Sequence, residues 1–134
     1  MWWLIAAASA HELSLEVSGL RGEGTVRAGA YADAASWLSE DGEVGSCVAP
    51  VEDGRAVCRI SVPSPGQYAV AFFHDADGDG AFDKSLLGLP REGFGFSRDA
   101  PTGLTGPSFA DAALWVRASA VSVVARARYS LTGG

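Results

Sequence analysis

The chain has 134 residues, of which 48% are apolar, so it can form one domain with a hydrophobic core but is too short for two comfortable domains. Its formal net charge is −6, and its ten basic residues are scattered along the sequence. Because phosphate backbones are bound by clustered lysine and arginine, we expect no nucleic-acid partner.

The first ten residues resemble the end of a secretory signal peptide. They are apolar and finish with Ala8-Ser9-Ala10, a small-residue pattern typical of cleavage sites, and polar His11 follows at once. The stretch lacks a positively charged start and is too short to span a bilayer. We expect residues 1–10 to be a signal-peptide remnant and 11–134 to be a single domain, periplasmic or secreted, with no transmembrane span. The alternative is a cytoplasmic protein whose first strand is apolar.

Several short segments have the pattern of strands: most alternate apolar and polar residues, and 68–72 alternates large apolar residues with alanine. They lie at 13–17, 25–32, 44–49, 55–62, 68–73, 112–118 and 121–131. The segment 68–73 is the most apolar, so we expect it to be central. Turn-rich connections and the lack of a long helical pattern predict an all-β fold, an antiparallel β-sandwich of about seven strands. Residues 85–111 show no period and predict one long irregular loop, which at this length is normally functional or disordered.

The two cysteines predict a disulfide. Cys47 and Cys58 flank a turn signal at 52–54, between segments that we interpret as the arms of a hairpin. An even cysteine count in an exported chain favours a bond between them. A thiol nucleophile or a metal pair is the alternative, but the spacing is not that of a CxxC motif and no histidine lies nearby in the sequence.

The acidic stretch 75–83 is the strongest candidate for a site. Asp75, Asp77 and Asp79 occupy its first, third and fifth positions, and Asp83 its ninth. Gly80 at the sixth position permits the sharp turn of a calcium loop. Four carboxylates in one compact loop would repel one another unless a cation lay among them. We expect a structural Ca²⁺ site; the alternative is an acidic, glycine-rich surface turn.

The calcium pattern is incomplete in its second half. The Ala81 carbonyl can face inward at the seventh position, but Leu86 occupies the twelfth, where an EF-hand has a bidentate glutamate. Another oxygen must therefore complete the coordination shell. Glu92 is the first candidate, Asp111 or water the second, and Glu92 as a solvated surface acid is the alternative.

The long loop offers a second kind of site. Arg91, Phe94, Phe96, Arg98 and Trp115 could form an aromatic and charged surface for an envelope protein or a glycan. If the phenylalanines instead fold back to plug the end of the sandwich, no such surface exists.

Four runs of the sequence follow one another in a distinctive order. They are Gly66-Gln67-Tyr68-Ala69-Val70, His74-Asp75 with the acidic stretch, Leu87-Gly88-Leu89-Pro90-Arg91-Glu92-Gly93-Phe94-Gly95-Phe96-Ser97, and Gly106-Pro107-Ser108-Phe109-Ala110-Asp111-Ala112. Together they resemble a known bacterial family, the domain of unknown function 2141. The resemblance implies an exported β-sandwich, immunoglobulin-like or transthyretin-like, with no established activity, and it implies no catalytic residue. The family's loop often has asparagine where this chain has Asp77 and Asp79, and the added charge favours a divalent ion.

These observations predict a function without catalysis. We expect an exported, calcium-stabilised β-sandwich that serves as a binding or structural accessory module of the cell envelope. The alternative is a hydrolase that uses His74 with residues of the loop 85–111, for example Ser97 or Ser108. No nucleophile-elbow motif supports that alternative.

Overall fold

The computed structural model describes residues 11–76, 93–101, 106–117 and 120–129. These residues form strands with only short helical turns between them, which confirms the all-β prediction. The strands are β1 (Glu12–Ser18), β2 (Thr25–Tyr31), β3 (Gly45–Pro50), β4 (Ala56–Ser61), β5 (Gly66–Asp75), β6 (Phe94–Phe96), β7 (Leu114–Val116) and β8 (Val121–Arg126). A 3-10 turn covers Ser97–Asp99, and the one-turn helix α1 covers Phe109–Ala112.

The strands form two sheets. The small sheet has the order β4-β1-β8; the large sheet has the order β3-β2-β5-β6, with β7 also paired to β5. The pairs are antiparallel except for β1 with β8, which is parallel. The predicted antiparallel sandwich is therefore confirmed in its architecture, with one parallel pair that the sequence pattern does not reveal.

The main core lies between the two sheets. Leu13, Leu15 and Val17 of β1 are fully buried and share one cluster with Val70 and Phe72 of β5. Because side chains alternate between the faces of a strand, every second residue of each strand enters this core. This packing of two inner faces makes the domain a sandwich.

A second apolar cluster covers the outer face of the large sheet. Phe73 of β5 packs there with Phe94 and Phe96. Trp37 lies over this face with an edge-on contact to Phe96, and its indole N–H donates to the Pro107 carbonyl at 2.8 Å. Apolar side chains thus cover β5 on both faces, which explains its unusually apolar sequence and confirms its predicted central position.

The two cysteines form the predicted disulfide, with a Cα–Cα distance of 5.8 Å. The predicted hairpin is wrong, however, because Cys47 lies in β3 of the large sheet and Cys58 in β4 of the small sheet. The turn itself forms at Asp53 and Gly54, both with positive φ, and the two strands then diverge into different sheets. The disulfide therefore joins the two layers of the sandwich.

The long segment 85–111 is more regular than its sequence suggests. It contributes β6, the 3-10 turn and α1; its parts 85–92 and 102–105 lie outside the described residues. The strands β6 and β7 pair with successive parts of the same edge of β5. Between them the fully buried Ser97 hydroxyl accepts the Val70 N–H at 2.9 Å and donates to the Ala112 carbonyl at 2.6 Å. Ser97 thus satisfies backbone groups where the two strands leave a gap.

Within the described ranges, no helix is long and apolar enough to cross a membrane.

Candidate functional site

The acidic loop leaves the large sheet and rejoins it beside its starting point. We call the two adjacent ends, residues 73–75 and 93–94, the loop stem. The loop leaves after Asp75 at the end of β5, and the chain returns through Gly93 into β6. Phe73 pairs with Phe94, and the His74 N–H donates to the Gly93 carbonyl at 2.7 Å. The two ends of the loop are therefore held next to each other by the sheet.

Most of the predicted calcium ligands lie outside the residues that the structure describes. These are Asp77, Asp79, Ala81, Asp83 and Glu92. Asp75 is the ligand candidate of the loop that is described. Among the described residues, no group of three or more histidine, cysteine, aspartate or glutamate side chains is close enough together to hold a metal ion.

The Asp75 carboxylate is buried and paired. Its side chain is 0% exposed, and its Oδ2 accepts a hydrogen bond from Arg27 Nε at 2.9 Å. Arg27 lies on β2 opposite Phe73, so it reaches Asp75 diagonally across the outer face of the large sheet. A buried carboxylate is costly unless a cation or hydrogen-bond donor compensates it. Arg27 supplies that compensation and also orients the carboxylate.

A glycine allows a second segment to pass close to the stem. Gly24 has φ +106°, and a Cβ at this position would lie 2.6 Å from the Asp75 carbonyl oxygen. A side chain would therefore push the chain before β2 away from the start of the acidic loop. Only glycine, which has no Cβ, lets the two backbone segments come this close.

His74 holds the stem on the inner face of the large sheet, opposite the face that carries the Arg27–Asp75 pair. Its Nε2 lies within hydrogen-bond distance of the Glu23 carbonyl, and its Nδ1 lies 2.9 Å from the Tyr129 hydroxyl. A carbonyl can only accept, so we assign the ring proton to Nε2 and the Tyr129 hydroxyl as donor to Nδ1. The same hydroxyl accepts the Arg21 N–H at 2.8 Å. Burial raises the pKa of Tyr129, an effect that this N–H and the Arg21 charge partly oppose.

The predicted aromatic surface is largely interior. Phe94 and Phe96 are each 1% exposed and belong to the cluster on the outer face of the large sheet. They do not plug the end of the sandwich; they cover a sheet face, because β6 extends that sheet. Arg98 is exposed and donates to the Ala113 carbonyl at 3.2 Å, Trp115 is 56% exposed, and Arg91 lies outside the described residues.

The serines of the long segment have structural partners. The Ser97 hydroxyl is bound to the backbone in the gap between β6 and β7, and Ser108 is the N-cap of α1, where it accepts the Asp111 N–H. Asp111, the second candidate for completing the calcium shell, is exposed on α1. The His74 ring binds Tyr129 and Glu23 instead of either serine. Neither Ser97 nor Ser108 is therefore paired with His74.

Sequence reasoning missed the residues that hold the stem. Arg27 is a lone basic residue in an apolar strand, and such a residue is a candidate counter-ion for a carboxylate at the end of a neighbouring strand. The partnership of Tyr129 with His74 had no sequence signal, since the two residues are 55 positions apart.

Comparison with known proteins identifies a family. The family described as "Uncharacterized protein conserved in bacteria (DUF2141)" matches residues 15–124, which include most of the sandwich. No curated protein and no solved structure gives a significant match.

Proposed function

The chain belongs to the family of uncharacterised bacterial proteins DUF2141, and from this premise we propose that it is an exported, non-catalytic module of the cell envelope whose β5–β6 loop binds calcium. In this proposal the sandwich is a rigid support, and the ion holds the acidic loop in one conformation. The role is binding or structural, in the periplasm or outside the cell.

The single observation that carries the calcium proposal is the geometry of the loop stem. Asp75 leaves the central strand with its carboxylate already oriented by Arg27, and the His74–Gly93 hydrogen bond brings the loop ends together. Holding the ends lowers the entropy that the loop must lose when it wraps around an ion. Hydrogen-bonded partners of this kind orient the carboxylates that bind metal ions.

The disulfide supports the proposed location. Structural disulfides persist in oxidising compartments and are rare in the cytosol of mesophiles. A bond that joins the two sheets, with Cys58 only 1% exposed, has the character of a structural disulfide and not of a reactive thiol pair. Calcium is also more abundant outside the cytosol, so a calcium site there can be occupied even when its affinity is low.

Calorimetric titration with calcium chloride tests the loop. We expect the chain that begins at His11 to bind one ion with a dissociation constant of about 10⁻⁴ to 10⁻³ M, as extracellular calcium modules do. Asp79→Asn should weaken binding, whereas Asp53→Asn, in the turn between β3 and β4, should not. A wild-type protein that shows no binding up to about 10 mM calcium would overturn the proposal.

A further variant tests which residue completes the shell. If Glu92 coordinates, Glu92→Gln should raise the calcium dissociation constant, since a carboxylate is replaced by a neutral amide. Unchanged affinity would show that Glu92 is a solvated surface acid and would leave Asp111 or water to complete the shell.

One exposed aromatic residue, Trp115, favours a surface that binds another molecule. Trp115 projects from β7 opposite Gln67, and the Arg117 guanidinium lies 5.7 Å from its ring centroid. An exposed tryptophan beside polar side chains suits contact with an envelope protein or a glycan. Trp115→Ala should reduce capture of that partner from envelope extract, whereas the exposed-valine variant Val48→Ala should not.

A further inference from the structure

His11 carries an unusual polar atom. Its Nδ1 is buried without a hydrogen-bond partner, and no other side-chain nitrogen or oxygen among the described residues is in that state. Leaving a buried polar atom unpaired is unfavourable, because the atom loses its hydrogen bonds to water. A metal ion is one partner that can satisfy such an atom.

The backbone at His11 is anchored to the small sheet. Its carbonyl accepts the Val62 N–H at 3.0 Å, and the next residue, Glu12, pairs with Ser61. Strand alternation places the His11 ring on the same side of β1 as Leu13, at the edge of the interior. The other end of β1 lies near the segment that passes Asp75, so His11 and the acidic loop are at opposite ends of the sandwich.

The proposed export gives this residue a second nitrogen ligand. Cleavage after Ala10 would convert the His11 backbone nitrogen from an amide into a primary amine. A metal bound to this amine and to Nδ1 closes a six-membered ring, M–N–Cα–Cβ–Cγ–Nδ1. Nε2 points away from the backbone and cannot close such a ring. The nitrogen that lacks a partner is thus the one that the new amine could use for chelation.

We propose that the mature amino terminus, His11, is a copper(II) site formed by its own α-amine and Nδ1. Copper(II) has the highest affinity of the divalent first-row metals for nitrogen donors, and it accepts tetragonal sites that water completes. Both donors must bind in their neutral forms, so binding competes with protons. The inference rests on the proposed export, because only cleavage after Ala10 creates the amine.

The test compares three forms of the protein. The eight strands found among the described residues lie within 12–126, so a chain released from a fusion with His11 as its first residue retains the described sandwich. The second form has His11 as its first residue but is acetylated at its amino terminus, which turns the His11 nitrogen back into an amide, and the third is His11→Gln. Each is titrated with Cu²⁺ in excess calcium, which occupies carboxylate sites, and its electron paramagnetic resonance spectrum is recorded.

We expect one Cu²⁺ per chain with nitrogen hyperfine structure in the His11 form. Because two linked donors bind more tightly than either alone, the dissociation constant should rise by roughly 100-fold in the acetylated form. His11→Gln should show a similar loss. Equal Cu²⁺ affinity in the first two forms, or no binding to the first, would overturn the inference.

A separate measurement tests the proposed export independently of copper binding. Mass spectrometry of the protein from its native source gives the mature amino terminus. A terminus other than His11 would contradict the proposed cleavage, and the titration would still decide whether a free His11 binds copper.

Discussion

Arg27 and Asp75 form an ion pair at the point where the central strand enters the acidic loop. The carboxylate is 0% exposed and the guanidinium side chain 36% exposed, with 2.9 Å between Nε and Oδ2. The pair therefore links a strand of the sandwich to the first predicted ligand of the calcium loop. Its removal should affect both folding and calcium binding.

Arg27→Met should destabilise the calcium-free protein by about 3 kcal/mol, because it removes a cation that is paired with a buried carboxylate. The value is at the low end for a buried pair, since water reaches part of Arg27. If calcium binds Asp75, the loss should be smaller at saturating calcium, because the ion replaces the missing positive charge. Urea denaturation with and without calcium measures both effects.

Arg59→Met, at an exposed position of β4, is the control and should change stability little. Equal losses with and without calcium would separate Asp75 from the metal site.

Gly24→Ala should destabilise the protein more than Gly22→Ala. Both glycines have positive φ, so both substitutions carry backbone strain of about 1 kcal/mol or more. A Cβ at Gly22 meets nothing within 4 Å, whereas one at Gly24 would lie 2.6 Å from the Asp75 carbonyl. The difference between the two variants in thermal or urea unfolding therefore measures the close approach at the stem. Equal losses would mean that the backbone there moves aside without cost.

Reducing the Cys47–Cys58 disulfide should lower the free energy of unfolding by roughly 3 kcal/mol, through the greater freedom of the unfolded chain. The closed loop is short, with a sequence separation of 11, but the bond also ties together two sheets. Denaturation with and without dithiothreitol measures the effect. The double variant Cys47→Ala, Cys58→Ala should be less stable than the oxidised wild type and insensitive to the reductant. A wild type that is equally stable in both conditions would contradict this role.

Stability should fall at alkaline pH through Tyr31. Burial, with a smaller contribution from the negative charge of Glu43, raises the pKa of Tyr31 from 10.0 to about 12. A raised pKa in the folded state means that folding favours the protonated phenol. Its contribution to stability is therefore complete below pH 10 and is lost as the pH rises from 10 through about 12. Tyr31→Phe should show a shallower loss of melting temperature across this window. Parallel curves for variant and wild type would exclude Tyr31 as the responsible group.

The short-range features of this fold follow from the sequence alone. Apolar alternation located β1, β2, β5 and β8, because the period of a strand decides which side chains face the core. The run 68–73 identified the central strand, since a strand covered on both faces must be apolar throughout. The Asp53-Gly54 turn forms as expected because positive φ at both positions is a local property of these residues.

What the tertiary structure decided is which segments meet. Alternation does not say to which sheet a strand belongs, so β3 and β4 were expected in one hairpin and lie in different layers. The three-residue strand β6 is too short to show a period, and Phe96 packs against Trp37, far away in the chain. Arg27 and Asp75 are likewise 48 residues apart, and only the pairing of β2 with β5 brings them together. Such contacts are set by the register between distant strands, which no local pattern encodes.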